Sequence, residues 1–442
     1  MLSAGSNGVF SERKRLDSAH AKLFGGSWYL ERLAKTGYLR KKGRAGIVVQ
    51  QSGRKMGTDA NKKQTAQQFG SRDRPWIPRF WSGMNISGWY GLLWRNRFAI
   101  GPRSWGMAAV LSLLAVFNSA LWLIQELLLG RRIRQTQLVD DPIFVIGHWR
   151  SGTTLLHELL ALDQRHTYPD TYASFAPNHF LISGWLFRPL LKYLLPARRP
   201  MDNMPAGWDH PQEDEFALCN MGERSPYLTI TFSNRPPQDQ QYLTLEGLPP
   251  AAVQRWKQRL LWFLKCLTLR TPKRIVLKSP AHTCRIRVLL EMFPNAKFVH
   301  IVRDPLVLFP STVNLWKRLY WDQGLQTPRY EALEEHVFQT LLRMYEVFWR
   351  DQHLLPPGQF CQVRYEELVK DPIGQMHRVY QELDLGEFEQ VLPALQQFVA
   401  KQAEYKTNRY DITPQMRAKI AERWASYSEQ YGYATAASSL AD

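Results

Sequence analysis

A short segment with two glycines, Gly147 to Thr154, combines residue types that bind anions. It reads Gly-His-Trp-Arg-Ser-Gly-Thr-Thr. Gly147 and Gly152 let the backbone come close to a ligand, because glycine has no side chain and tolerates left-handed backbone angles. Arg150 adds a planar, permanently charged fork that suits a group of oxygens. These residues predict a site for a phosphate-like anion.

The same segment differs from the phosphate-binding loop of nucleoside triphosphatases. That loop has a lysine after its second glycine, which contacts the β and γ phosphates, and then a hydroxyl residue that binds magnesium. Here Thr153 occupies the lysine position, and Ser151, Thr153 and Thr154 offer hydroxyl donors. The pattern therefore predicts an anion bound without a metal. A capped helix that follows a buried strand and binds nothing is the alternative explanation.

The flanking residues predict the elements that position this segment. Ile143 to Ile146 are an apolar run typical of a buried strand, and Leu155 to Leu162 have the pattern of an amphipathic helix. At the start of such a helix the backbone N–H groups lack intrahelical partners and the helix dipole is positive. We therefore expect a strand, an anion-binding turn and a helix, in that order.

Two further predicted strands end in cations. Residues 297–302 precede Arg303, and Ser311 lies eight positions beyond that arginine; a third run, residues 274–277, precedes Lys278. Because open α/β sheets bind ligands at the carboxyl ends of their strands, the cations that follow three strands would converge on one polyanionic ligand. For each cation taken alone, a solvated surface charge is the simpler explanation.

The two motifs together resemble those of a known family. Gly147 to Thr154 is similar to the 5′-phosphosulfate loop, and Arg303 to Ser311 to the 3′-phosphate motif, of sulfotransferases that use 3′-phosphoadenosine 5′-phosphosulfate (PAPS). The resemblance extends from about Asp140 to Tyr410, and the Arg-Ser-Gly-Thr-Thr sequence places it in one subgroup. It implies an α/β fold of the P-loop-like, three-layer α/β/α type with a central parallel sheet, and transfer of a sulfuryl group from PAPS to an acceptor hydroxyl.

The resemblance also implies roles for individual residues. Arg150 and Lys278 would contact the 5′-phosphosulfate, together with the loop Gly147 to Thr154, and stabilise charge that builds on the bridging oxygen. Arg303 and Ser311 would hold the 3′-phosphate, and no metal is required. The resemblance further implies that Tyr365 lies near the adenine and that Lys406 lies over the 3′-phosphate.

An acceptor hydroxyl must lose a proton as it attacks, so a base is expected nearby. Glu213, Asp214 and Glu215 are consecutive carboxylates at a predicted helix start. Close like charges raise one another's pKa, which favours Glu213 or Glu215 as the base, although carboxylates also favour a helix start through its dipole. Three further candidates remain open, two histidines near the cations and an aspartate where a related subgroup has glutamate: His282, His148 and Asp170.

The net charge of +18 over 442 residues is unevenly distributed. Residues 1–75 carry 16 basic and 5 acidic side chains, residues 76–135 carry 7 and 1, and residues 136–442 carry 34 and 33. The sequence therefore predicts three parts: a basic, disordered leader, a helical segment that associates with membranes, and a nearly neutral sulfotransferase domain. A later initiation site, Met56 or Met84, is the alternative explanation of the leader.

An apolar segment from Trp105 to Leu129 is long enough to cross a membrane. Ser112, Ser119 and Glu126 recur in it at intervals of seven, which favours a helix that lies in the interface. We therefore expect an enzyme on the cytoplasmic face of a membrane. A single-pass protein of the Golgi type is the alternative, because the more basic amino-terminal side would stay in the cytoplasm.

The expected acceptor is a lipophilic or a carbohydrate alcohol. The apolar stretches Phe175 to Leu195 and Asp239 to Leu269, inserted between the predicted strands, are the expected lid and acceptor elements. No nucleic-acid motif occurs, and the cysteines and histidines lack the spacing of metal ligands. A membrane-tethered, nucleotide-binding pseudoenzyme without catalysis is the competing hypothesis.

Overall fold

A central sheet of five parallel strands organises the protein in the computed structural model, which describes residues 79–191, 207–402 and 411–433. The strands lie in the order β2-β3-β1-β4-β5. Their side chains are mostly buried on both faces, as expected for a parallel sheet covered by helices. The strand bounds are β1 Ile143–Ile146, β2 His166–Thr167, β3 Arg274–Lys278, β4 Lys297–Val302 and β5 Phe360–Arg364.

Helices cover both faces of the sheet. The α-helices are α1 Ile86–Arg95, α2 Trp105–Gln135, α3 Thr153–Ala161, α4 Thr171–Phe175, α5 Phe180–Leu191, α6 Asp214–Asn220, α7 Pro250–Arg270, α8 Ile286–Met292, α9 Pro305–Gln323, α10 Leu333–Asp351, α11 Tyr365–Lys370, α12 Pro372–Leu383, α13 Leu392–Gln402, α14 Pro414–Arg423 and α15 Ala425–Gln430. Short 3₁₀ turns include Phe80–Gly83, Pro226–Ile230 and Pro280–Cys284.

Alternating residues of β1 show the three layers directly. Ile143 and Val145 belong to a core with α3, α12 and α13, whereas Phe144 and Ile146 belong to a second, larger core with α7, α9 and α10. Because side chains alternate across a strand, the two sets face opposite sides of the sheet. The predicted three-layer α/β/α fold is confirmed.

The strand register brings the predicted cations to one edge. Val145 of β1 pairs with Lys278 of β3 on one side and with Val299 of β4 on the other. The carboxyl ends of β3, β1 and β4 therefore lie side by side, and β5 follows next to β4. Lys278, the loop after β1 and Arg303 all leave the sheet at this edge.

Before the sheet, α1 and α2 form the amino-terminal helical extension. Helix α2 has 31 residues and is the one helix in the described part of the chain that is long and apolar enough to cross a membrane. It buries a stripe that includes Ala108, Leu111, Ala115, Asn118 and Gln125. The predicted basic leader lies outside the described residues, and the predicted division into three parts stays a prediction.

Candidate active site

Backbone geometry explains both glycines of the loop after β1. Gly147 has φ +146° and Gly152 has φ +110°, values that residues with a side chain rarely adopt. A methyl group on Gly147 would lie 2.5 Å from the carbonyl oxygen of Ile301, and one on Gly152 would lie 2.4 Å from the Tyr365 ring. Arg150 is also left-handed, at φ +71°, a strained conformation of the kind found at functional sites.

The loop leads directly into α3, so its first-turn N–H groups face the same edge of the sheet. Thr153 begins the helix, and both Thr153 and Thr154 lie at its positive end. Ser151 is fully buried, and its hydroxyl donates to the carbonyl of His148 at 2.7 Å. Ser151 therefore stabilises the turn itself, while the threonines and the backbone are placed for an anion.

The predicted cations of β1 and β4 meet at this edge. Arg150 Nε donates to the Ser311 hydroxyl at 2.9 Å, and an Arg303 nitrogen donates to the Arg150 carbonyl at 2.9 Å. The Arg303 guanidinium also lies 3.9 Å from the centre of the Tyr365 ring. Tyr427 of α15 bonds to both the N–H and the carbonyl of Arg303. The two halves of the predicted donor motif therefore form one connected cluster.

Three consecutive carboxylates each pair with a different basic side chain, at the end of β3 or in the residues that follow it. The first acid lies at the amino end of α6 and the next two in its first turn. The pairs are Glu213 with Lys278 at 2.7 Å, Asp214 with His282 at 2.7 Å and Glu215 with Arg285 at 2.6 Å. The six side chains join α6 firmly to the end of β3 and the turn that follows it.

This pairing corrects one expectation from the sequence. Burial raises the pKa of Asp214, but the charges of His282 and Arg285 more than offset it, so the pKa lies below its usual value. The expected increase from neighbouring carboxylates is therefore wrong for Asp214. The physical reason is that each acid points towards its own cation rather than towards the other acids.

The three acids differ in their access to a substrate. The Glu213 side chain is 13 % exposed, whereas those of Asp214 and Glu215 are 0 % and 1 % exposed. Glu215 bonds to Arg285 through both oxygens and also accepts from Ser225. Among these acids, Glu213 alone combines exposure with contact to the cofactor-side lysine. The geometry favours Glu213 over Glu215 as the base.

The other base candidates are held in structural contacts. His282 is fully buried against Asp214. Burial lowers the pKa of His148 to about 4, and one ring nitrogen is within hydrogen-bond distance of the Trp149 carbonyl. Asp170 accepts from Arg188 and Arg270, both at 2.7 Å. Asp170 also caps the start of α4. Lys406 lies outside the described residues.

One residue at the centre of the site was not predicted from the sequence. The Tyr227 hydroxyl donates to Glu213 Oε2 and accepts the indole N–H of Trp149 at 2.8 Å. Tyr227 lies in the 3₁₀ turn Pro226–Ile230, 14 residues after Glu213. A tyrosine in such a turn has no sequence signature, because only the folded chain brings it between the loop and the acid.

Aromatic rings connect this acid to the amino-terminal extension. Phe216 packs against Phe80 at 4.2 Å and against Tyr227 at 5.2 Å between ring centres, with the rings tilted in both pairs. Phe175, at the start of the first predicted acceptor stretch, is 5.7 Å from Phe80. The second stretch, from Asp239 to Leu269, contributes α7, which packs into the larger core. No cluster of three metal-binding side chains occurs among the described residues.

Comparisons with known proteins agree with this geometry. A model of the sulfotransferase family matches residues 142–390. The chain is 47 % identical over 363 residues to omega-hydroxy-beta-dihydromenaquinone-9 sulfotransferase Stf3 from Mycobacterium bovis and from Mycobacterium tuberculosis, covering 82 % of this chain and 93 % of each relative. The crystal structure of sulfotransferase STF9 from Mycobacterium avium shares the fold, with a TM-score of 0.58 and 18 % identity over 87 % of this chain and 99 % of that one.

Proposed function

From the premise that this chain belongs to the sulfotransferase family and is a sulfotransferase, we propose that its acceptor is a lipophilic alcohol presented by a membrane, and that Glu213 is the base. The family implies PAPS as the sulfuryl donor. The pseudoenzyme hypothesis loses its basis, because the relative that matches along most of both chains is a sulfotransferase.

The donor would bind at the carboxyl edge of the sheet. The loop N–H groups and Arg150 would hold the 5′-phosphosulfate, and Arg303 with Ser311 would hold the 3′-phosphate. The contacts from Arg150 to Ser311 and from Arg303 to the Arg150 carbonyl support this, because they join the residues for both phosphates. The Tyr365 ring, beside Arg303, offers a flat surface of the kind that adenine stacks on.

Sulfuryl transfer then needs a proton acceptor and a stabilised leaving group. The acceptor hydroxyl would give its proton to the Glu213 carboxylate as its oxygen bonds to sulfur. The bond from sulfur to the bridging phosphate oxygen breaks, and the departing phosphate keeps the electron pair. Lys278 lies 2.7 Å from Glu213 at the same edge of the sheet as the donor loop, and its ammonium group would stabilise the charge on the leaving oxygen.

The single observation that carries the acceptor proposal is an exposed apolar surface on α2 and α5. Helix α5 belongs to the stretch from Phe175 to Leu195 that is expected to help bind the acceptor. We call it the lipid face: Leu113, Val116, Leu127 and Leu128 of α2 with Trp185 and Leu190 of α5, all exposed. The two helices adjoin through the Phe117 and Phe187 rings, 5.8 Å apart. Soluble monomers rarely expose so many large apolar side chains together, and such patches mark protein or membrane contacts.

The inner side of α2 explains why we propose a helix lying on the membrane rather than across it. Asn118 donates to the carbonyls of Ser82 and Met84, and Gln125 bonds to the backbone of Asn178 and Leu181. These polar contacts attach the middle of α2 to the protein, whereas only 22 % of its most apolar stretch is buried. A helix with a protein-bound side and a lipid-facing side fits the interface.

The chemistry of a relative and the position of the rings support the lipophilic acceptor. The name of the 47 % identical sulfotransferase describes a hydroxylated dihydromenaquinone, a lipid-like alcohol. In this chain the rings of Phe80, Phe175 and Phe216 lie between the extension that carries α2 and the proposed base. An apolar tail that leaves the membrane along these elements would bring its hydroxyl to Glu213.

A transfer assay tests the proposed acceptor. Purified enzyme receives ³⁵S-labelled PAPS and either a long-chain isoprenoid alcohol in lipid vesicles or a water-soluble sugar alcohol at the same concentration. We expect labelled sulfate ester from the isoprenoid alcohol at a rate at least about tenfold above the sugar, since the apolar tail supplies binding energy. Faster transfer to the sugar would reject a lipophilic acceptor in favour of a carbohydrate.

A further inference from the structure

A chain of hydrogen bonds connects the donor loop with the proposed base. It runs from the indole N–H of Trp149 to the Tyr227 hydroxyl, and from that hydroxyl to Glu213 Oε2, while Lys278 donates to Glu213 Oε1. We infer that Tyr227 is a positioning residue, which holds the Glu213 carboxylate oriented for proton transfer from the acceptor hydroxyl. This inference rests on the proposed role of Glu213 as base.

The direction of each bond in this chain follows from its donors. An indole N–H can only donate, so the Tyr227 oxygen accepts from Trp149 and its own proton must point elsewhere. The Tyr227 hydroxyl therefore donates its hydrogen bond to Glu213 Oε2. Lys278 occupies the other carboxylate oxygen. With one donor on each oxygen, the carboxylate has a fixed plane, and its remaining lone pairs have fixed directions for the acceptor proton.

The Tyr227 hydroxyl is suited to donate a hydrogen bond and not to act as a base itself. Burial, followed by the nearby charge of Glu213, raises the pKa of Tyr227 well above its usual value. The hydroxyl therefore keeps its proton through the reaction. The ring is 2 % exposed and packs against Trp149, Phe216 and Trp316. A side chain packed on several sides cannot easily turn away from Glu213.

The other end of the chain belongs to the donor site. Trp149 stands next to Arg150 in the loop, and its carbonyl accepts from the Thr312 hydroxyl at 3.2 Å, one residue after Ser311. The same loop that would hold the phosphosulfate thus sets the position of Tyr227. Through Tyr227 the donor loop and the proposed base share one network, which would keep Glu213 in a constant relation to the sulfur atom of a bound donor.

The pH dependence of the Tyr227→Phe enzyme tests this inference. A hydrogen bond to a carboxylate favours its charged form, so removing the hydroxyl should move the acidic limb of the kcat/KM profile about one unit to higher pH. We also expect kcat at pH 8 to fall about tenfold, with unchanged affinity for adenosine 3′,5′-bisphosphate by calorimetry. The smaller kcat reflects a carboxylate that is no longer oriented.

Tyr320→Phe is the matched control. Tyr320 is buried in the same aromatic cluster, with its ring centre 5.9 Å from that of Trp316. Among the described residues, the tyrosine that bonds to Glu213 is Tyr227 and not Tyr320. This variant should keep the wild-type pH profile. If Tyr227→Phe also keeps the wild-type acidic limb, Tyr227 only fills space and the inference is overturned.

A second variant covers the case in which Tyr227→Phe does not fold. Trp149→Phe keeps a ring but removes the N–H that polarises the Tyr227 hydroxyl, so its acidic limb should move the same way by a smaller amount. An unmoved limb in that variant overturns the inference equally. Glu213→Gln separates the two claims: if it retains full activity, the proposed base is wrong, whatever the tyrosine variants show.

Discussion

The carboxyl edge of the sheet buries a charged side chain, whereas the lipid face exposes large apolar side chains. Both regions therefore depart from the usual pattern of burial, in opposite directions. At the sheet edge Lys278 is 1 % exposed, a burial that lysine rarely reaches without a partner, and its partner here is Glu213. On the lipid face Leu127 is 85 % exposed and Trp185 is 77 % exposed. A buried charge and an exposed apolar surface both cost free energy unless something completes them. The two regions differ in the kind of partner that we propose for each, a polyanion at the edge and a lipid at the face.

The two regions also differ in how tightly they are connected to the protein. At the sheet edge, hydrogen bonds to other side chains orient the cations, such as that of Arg150 with Ser311 and that of Lys278 with Glu213. On the lipid face the apolar side chains point outward, and orientation comes from the opposite side of α2 through Asn118 and Gln125. Chemistry requires fixed side chains, whereas membrane contact requires a fixed helix. Variants at the sheet edge should therefore change catalysis without changing the proposed membrane binding, and variants on the lipid face should do the reverse.

The largest expected effect comes from the sheet edge. Lys278→Met removes the charge beside the departing phosphate oxygen, and we expect kcat to fall about 10³-fold. Binding to lipid vesicles, measured by flotation, should remain at the wild-type level, because the lipid face is untouched. Loss of vesicle binding in this variant would contradict the separation of the two regions, and wild-type turnover would remove Lys278 from the mechanism.

A smaller effect is expected from the lipid face. The double variant Leu127→Glu with Leu128→Glu places two charges where we propose acyl chains, so vesicle binding by flotation should weaken at least about 100-fold. Activity on a short, water-soluble alcohol should stay within about twofold of wild type. Val369→Glu is the control, since Val369 is an exposed apolar residue on α11, outside the lipid face. Equal vesicle binding by all three proteins would show that the face does not contact lipid.

The sequence predicted the sheet edge well because its signals are local. The order of strand, glycine loop and helix from Ile143 to Leu162 depends on neighbouring residues, and so does the spacing from Arg303 to Ser311. The parallel sheet then brings separate strand ends together by a general rule of α/β folds. For these reasons the fold, and the placement of Arg150, Lys278 and Arg303 at one edge of the sheet, followed from the sequence.

Contacts between distant segments could not be predicted in the same way. The sequence left Glu213 and Glu215 as equal candidates, because only the fold shows that Glu215 faces the buried Arg285. Tyr227 was missed for the same reason. On α2, the predicted polar stripe contained Ser112 and Ser119, which bond to α1, but the residues that attach the helix most deeply are Asn118 and Gln125.

The most direct test is single-turnover sulfate transfer by Glu213→Gln. The substitution keeps the size of the side chain and removes the proposed base, so transfer from PAPS should slow about 10³-fold. Calorimetry should show wild-type affinity for adenosine 3′,5′-bisphosphate. Glu246→Gln, which changes an exposed carboxylate paired with Arg350, serves as the control and should transfer at the wild-type rate. Wild-type transfer by Glu213→Gln would contradict the account of this site.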